Sequence, residues 1–417
     1  MATDVVALNQ PVLRWSARAK NIPDIEKELS RIWAKQDLTT EIEGEPGRHV
    51  AARTNVMNLV VVARRPEIAE RGAATIQALT GLHPSRTIVI QSADPDGPSW
   101  LDARIEAHCV LPREDAPETC AETIHLICGG DAGRHLHAVV TPLIIHDLPV
   151  TVWWPGEPPF TSQATLDLLT AADRLVVDGS TWNGDGLARL VEMATCAGTT
   201  RIAVSDFAMV RQSRWREAIA SIFDDPDYLP FLRSVRRIAV TYGTHDETGA
   251  HGSTNLVKPV YHVAWLASRL GMHVAKPLAV ASHTSAAHAR SKGSHGSRPA
   301  MARGMTATLS DGRTDVAVVI RPVLSELPSG TTLRVELLCE RRGSELRADV
   351  TAEAESVHVR VWVDGVEALE RDFLAARRGD VDLLAEAIET SRHDPVSDGT
   401  LKMAAKLVGE APTGSRP

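Results

Sequence analysis

The chain has 417 residues, 43% of them hydrophobic and 24% charged, with a formal net charge of −8. That length supports two or three domains with sizeable cores, and the composition is that of an ordinary globular protein. The acidic balance argues against a broad nucleic-acid-binding surface, and no apolar run is long enough to cross a bilayer.

The opening MATDVVALNQPVLRW lacks the basic-then-apolar layout of a secretory signal, so a cytoplasmic location is expected. Ile25, Leu29, Ile32 and Trp33 form a helical stripe over 23–36 behind a first-position proline. NVMNLVVVA (55–63) reads as a buried strand and 70–81 as a helix stopped by Gly81. Strands are expected at 87–92, 103–111 and 122–128, after which CGGDAGRH (128–135) turns into a helix. From LPVTVWWPGEPPF (148–160) the alternation becomes regular. Strands at 150–154, 174–179, 201–206 and 236–243 are separated by helices at 163–173, 186–198 and 213–225. This pattern predicts right-handed crossovers and a mainly parallel sheet with helices on both faces.

Beyond residue 270 the text changes. Segment 282–304 has Arg290, Lys292, Arg298 and Arg303 and no acidic residue, and reads as a flexible basic loop. β-rich runs follow at 314–322, 331–340, 347–353 and 356–365, then helices at 381–391 and 399–408. The expected layout is an α/β fold with an N-terminal α/β domain over 1–147 and a central region of parallel strands over 148–281. The basic loop then leads to an α+β domain over 305–417 with largely antiparallel strands.

Neighbouring side chains on a strand point to opposite faces, so Trp153 and Trp154 cannot share one core. Pro155 removes a ladder donor and ends the strand. The expectation is one ring inward as core and the other at a partner-facing edge. Five cysteines (Cys109, Cys120, Cys128, Cys196, Cys339) with no CxxC argue against a disulfide framework and a structural zinc site. They read as buried, inert thiols, with a redox pair between Cys109 and Cys128 as the alternative should their strands adjoin.

The turn at Gly129 and Gly130 is where a phosphate could be cradled, yet neither GxGxxG nor GxxxxGK[ST] is present, and a plain turn is the other reading. Arg86 in HPSRTIVI could fork a phosphate or carboxylate, or hold its own loop. His135 and His137 diverge on a helix, and His283, His288 and His295 lie in the basic loop with nothing to fix a geometry. No HExxH, GxSxG or EF-hand loop occurs, so no catalytic residue, cofactor or metal site is assigned. Over 205–232, Trp215, Ile219, Ile222 and Phe223 share a core-facing stripe, while Arg211 and Arg214 are placed to face outward. That mixed Arg/Trp surface has the composition of protein-interface hot spots.

Five ordered blocks carry a resemblance: RHVAARTNVMNLVVVA (48–63), HPSRTIVI (83–90), LPVTVWWPGEPPF (148–160), ADRLVVDGSTW (172–182) and SDFAMVRQSRWREAIASIFDD (205–225). Together they resemble the OpcA family, the glucose-6-phosphate dehydrogenase assembly proteins, from about residue 12 to 275 and more weakly through 382–407. The resemblance implies a non-catalytic partner that supports assembly of the oligomeric dehydrogenase and activates it allosterically, at the NADPH-forming opening of the oxidative pentose phosphate pathway. It implies no catalytic motif, and the basic loop matches no family pattern. Trp153, Trp154, Arg211, Arg214 and Trp215 are the candidate partner contacts. The rival reading is a sugar-phosphate or nucleotide-binding enzyme, or a metabolite sensor, using the crevice at the strand ends with Arg86, Gly129 and Gly130 on phosphate.

Overall fold

A computed structural model describes residues 11–34, 52–53, 55–94, 96–110, 119–245, 254–281, 304–353 and 355–409. Its contacts divide the chain into two compact units, each drawn from several segments. The first comprises Met1–Asp178, Cys196–Ser205 and Gly379–Arg392, and the second Gly179–Thr195, Asp206–Arg378 and His393–Pro417.

The first sheet contains β1 (Val12–Ala19), β2 (Ala52–Arg53), β3 (Met57–Ala63), β4 (Ser85–Ser92), β5 (Trp100–Val110), β6 (Thr119–Gly129), β7 (Val150–Trp154), β8 (Arg174–Val177) and β9 (Ala203–Asp206). They run in the order β1-β5-β6-β4-β3-β7-β8-β9, with β2 beside β6. From β6 through β4, β3 and β7 to β8 the pairing is parallel, while β5 and β1 add an antiparallel flank. The helices of this part of the chain are α1 (Ile22–Ala34), α2 (Pro66–Leu79), α3 (Gly130–Arg134), α4 (Leu136–Val140), α5 (Gln163–Thr170) and α6 (Leu187–Thr200). Every residue of β3 and β7 is buried. Such unbroken burial of largely apolar strands is the mark of strands covered on both faces. Helix α2 packs on β3 and β4, and Gly72 permits it, since a Cβ there would fall 2.8 Å from Val61 Cγ1.

The second sheet contains β10 (Val235–Thr244), β11 (His273–Val280), β12 (Met305–Ser310), β13 (Asp315–Leu324), β14 (Thr332–Arg341), β15 (Ser344–Ala352), β16 (Ser356–Val363) and β17 (Val366–Leu374). Their order is β11-β12-β13-β10-β14-β15-β16-β17, antiparallel throughout except for β10 with β13. Strand β10 therefore leaves the parallel series with which its sequence position associates it. Its pattern is in keeping with this: Ile238 and Val240 are buried on one face, while Arg237 and Thr241 stay half-buried on the other around the small, buried Ala239, which suits a sheet with one wetter face. The remaining helices are α7 (Phe207–Val210), α8 (Ser213–Ile222), α9 (Val257–Arg269), α10 (Asp380–Glu389) and α11 (Pro395–Val408). Helix α8 packs on β15 and β16, α9 on β10, β13 and β14, and α11 on α9 and β11. Helix α11 is started by Pro395 and by Asp394, whose carboxylate accepts from the amides of Val396 and Ser397.

The cysteines correct one expectation. Cys109 and Cys120 face each other directly across β5 and β6 and form a disulfide. Cys128 lies opposite Leu101 and cannot pair with Cys109. Cys128, Cys196 and Cys339 are buried thiols, and burial pushes Cys128 up to about 11 and Cys339 to about 12. The basic loop of the sequence analysis lies outside the described residues, apart from its last residue, Gly304.

Candidate functional site

Trp153 is 1% exposed and Trp154 4%, so both rings of the double tryptophan are buried. The expected wet ring is not there, because this strand lies mid-sheet with β3 on one side and β8 on the other. With both faces covered, alternation sends the two rings into two cores rather than one core and water. Gly72 on α2 approaches the Trp153 ring, 3.8 Å from a Cβ position to Cζ3.

Arg86 is 7% exposed and binds Glu122 on the neighbouring strand β6 through Nε. Its Nη1 donates to the carbonyl of Leu143 at 2.9 Å. Glu122 in turn accepts from Trp33 Nε1 at 2.6 Å and Asn55 Nδ2 at 3.2 Å. A guanidinium so engaged neutralises a buried carboxylate, which gives Arg86 a structural role instead of the phosphate contact. Gly129 and Gly130 have a similar explanation. A Cβ on Gly130 would lie 2.7 Å from the backbone of Gly97 and Pro98, and its φ is +58°. The Gly130 amide already donates to Asp94 O at 2.9 Å, and the Ala132 amide to Ser99 Oγ at 3.3 Å. The space and donors a phosphate needs are taken up by Asp94, Gly97, Pro98 and Ser99, so this turn is a packing turn.

Arg211, Arg214 and Trp215 stay nearer solvent. Arg211 is half-buried, with its guanidinium 5.8 Å from the Phe207 ring centroid and Nη1 donating to Ser180 Oγ at 3.2 Å. Arg214 is exposed and pairs with Glu217 one turn along α8 at 2.6 Å. Trp215 is half-buried, its ring 5.1 Å from that of His262 on α9. His262 is buried, and neither ring nitrogen has a hydrogen-bond partner among the described residues. Burial, with Arg216 and Lys258 nearby, pushes its imidazole down to about 3.

One polar cluster escaped the sequence reading. Asp206 Oδ1 accepts from the amides of Gly179 at 2.9 Å and Ala208 at 2.8 Å, and Oδ2 accepts from the Tyr261 hydroxyl at 2.8 Å. Burial and the adjacent carboxylate hold the Tyr261 phenol well above its ordinary value. Asn255 Nδ2 donates to the carbonyls of Gly179 at 2.8 Å and Trp182 at 3.1 Å. Gly179 must be glycine because a Cβ there would fall 2.6 Å from Asp206 Oδ2. Only the DGSTW stretch and the strand-end position of Asp206 hinted at this clasp, whose partners are distant in sequence. Its acceptors are engaged by internal donors, so it fastens loops rather than presenting a nucleophile.

Among the described residues no three His, Cys, Asp or Glu side chains gather as metal ligands, and His135 and His137 hold their rings 6.5 Å apart, edge to face. The three histidines of the basic loop lie outside the described residues. No described helix is long and apolar enough to cross a membrane.

Residues 76–194 match the OpcA family model described as glucose-6-phosphate dehydrogenase subunit N-terminal domain. Residues 202–398 match the corresponding C-terminal domain. The chain is 26% identical over 200 residues to a Synechocystis sp. protein named as an OxPP cycle protein, OpcA, with 48% of this chain and 40% of the relative covered. It is 25% identical over 202 residues to the like-named protein of Synechococcus elongatus, covering 48% and 43%. The match thus spans about two-fifths of the length of these curated relatives. Among solved structures, an oxidoreductase from Sinorhizobium meliloti aligns with a TM-score of 0.39 at 12% identity, over 85% of this chain and 89% of that one. With both domain models matched in order over well over half its length, the chain belongs to the OpcA family.

Proposed function

We propose that this chain is a non-catalytic partner of glucose-6-phosphate dehydrogenase that supports its assembly and activates it allosterically in the cytoplasm. The observation that carries the reading is the ordered match to both dehydrogenase-subunit domain models. The geometry is in keeping with it: Arg86, Glu122, Asp206 and Tyr261 are all engaged in internal bonds. The groups that a sugar-phosphate site would have used are occupied, which leaves the enzyme and sensor readings without an observation in their favour.

The mechanism is linkage. A protein that binds one conformation or oligomer of the dehydrogenase more tightly than the others shifts its population by that difference in affinity. Substrate affinity or maximal rate then changes although no group of this chain touches the substrate. Arg211, Arg214 and Trp215 on and beside α8 are the contacts proposed for that surface; Trp153 and Trp154 are withdrawn from it by their burial. The test is titration of this chain into the dehydrogenase of the same organism, following NADPH formation across glucose 6-phosphate concentrations and complex mass by light scattering. A saturable rise in rate or apparent affinity with a heavier complex is the expected result. No complex and no change in rate would overturn the proposal.

A further inference from the structure

Six strands of the first sheet, β3, β4, β6, β7, β8 and β9, stand side by side in the order β6-β4-β3-β7-β8-β9. Numbered along the chain, that order is 3-2-1-4-5-6, the doubly wound order of dinucleotide-binding domains. The winding changes side between the first and fourth strands, here β3 and β7, which run parallel with Val61 beside Trp153. The crevice at the carboxyl ends of such a pair is where the pyrophosphate of NAD or NADP lies. The turn from β3 into α2 forms one wall of it.

The motif that cradles a pyrophosphate there is G-x-G-x-x-G. Its first glycine makes the tight turn, its second lets the backbone approach the ligand, and its third lets the helix pack on the strand. From the end of β3 the six positions read Arg64-Arg65-Pro66-Glu67-Ile68-Ala69, and no glycine occurs between Gly47 and Gly72. Only the third position keeps its role, as the buried Ala69. Pro66, at the start of α2, has no N–H to offer a phosphate and sets its ring where the motif leaves space. Arg65 is extended, at φ −115° and ψ 139°, and no residue from 63 to 69 has a positive φ. The turn is thus built without the conformation that glycine supplies. Glu67 places a negative charge at the helix end that would otherwise favour an anion, and it holds Arg65 at 3.3 Å. Across the crevice Pro155, Pro158 and Phe160 are buried, so the segment leaving β7 lies against the protein. Beyond β4, where an acid would take the ribose hydroxyls, Asp94 is turned to its own loop. Its Oδ1 accepts from the Asp96 amide at 3.1 Å, and its Oδ2 lies 2.8 Å from where a Cβ on Gly97 would stand.

We propose that this chain keeps the strand order of a dinucleotide-binding domain but binds neither NAD nor NADP, its first turn being fixed by Arg64, Arg65 and Pro66 for packing. The inference stands apart from the dehydrogenase reading, since it is tested on this chain alone. Its consequence for that reading is that any nucleotide dependence in a mixture of the two proteins belongs to the dehydrogenase. Titration calorimetry and thermal melts of the full chain with NAD, NADP and NADPH test it. The expected result is no saturable heat and no rise in Tm up to about 1 mM nucleotide. Saturable binding, with a Tm that climbs with nucleotide concentration, overturns the proposal. The turn supplies the second measurement. Pro66→Gly should lower Tm by about 1–4 °C, because proline restricts the unfolded chain and already suits the first helical position. An unchanged or raised Tm would mean a turn under strain that glycine relieves, as a motif turn is, and would also overturn the proposal.

Discussion

Strands β7 and β16 both carry tryptophan and treat it differently. On β7 all five residues are buried, so Trp153 and Trp154 enter separate cores on opposite sides of one sheet. On β16, Val357, Val359 and Val361 are buried, while His358, Arg360 and Trp362 remain at least partly in water. Both strands alternate identically in geometry. What differs is the number of faces that helices cover, and this sets whether the second set of side chains meets protein or solvent.

Removing rings should expose that difference most strongly. Trp153→Ala and Trp154→Ala are each expected to cost about 3–5 kcal/mol, because each deletes a large ring from a closed core. Trp362→Ala, on the half-covered β16, is expected to cost less than about 2 kcal/mol, mostly from its lost contact with Arg347, 4.0 Å from its ring centroid. Urea unfolding of the three variants checks both halves. If Trp154→Ala proved as mild as Trp362→Ala, a doubly covered β7 would be untenable.

The helices over the buried face of the second sheet supply a pH-dependent test. His262 on α9 stays neutral down to about pH 3 because burial, then Arg216 and Lys258, oppose its proton. The unfolded imidazole takes up a proton near pH 6.5, so between those values the unfolded state binds more protons than the native one. Stability is therefore complete above pH 6.5 and falls as pH drops through that window, by roughly 1 kcal/mol per unit from this residue. His262→Phe should remove that slope, leaving about 2 kcal/mol less loss between pH 7 and pH 5 than in the wild type. Parallel slopes for the two proteins would mean that His262 finds a partner in solution.

The parallel series was legible in the sequence because its crossovers alternate at regular spacing and its strands carry continuous apolar stretches, as in LVVVA of β3. The edges were not. Strands β1, β11 and β17 carry mixed, largely exposed side chains, and VEALERDFL of β17 has neither a strand's alternation nor β-branched enrichment. It is a strand because β16 offers a ladder to pair with, a tertiary cause invisible locally. The same limit applies to the site residues. Arg86 looked available for phosphate because its partner Glu122 sits 36 positions away, on a strand that only the fold brings alongside. Gly129 and Gly130 announced a turn truthfully, but what fills the turn is Gly97, Pro98 and Trp100, and sequence spacing carries no record of that.

The smallest expected effect lies between β16 and β17. Arg360 donates to Glu370 through Nε at 3.2 Å and Nη2 at 3.0 Å, with the two side chains 47% and 52% exposed. In dilute solution water screens this pair, and a double-mutant cycle should give a coupling of about 0.2–1 kcal/mol that shrinks with salt. A coupling well above that range would place the pair in a drier setting than its exposure implies. A coupling within it would leave β16 and β17 facing solvent, and the contrast with β7 would be at its sharpest.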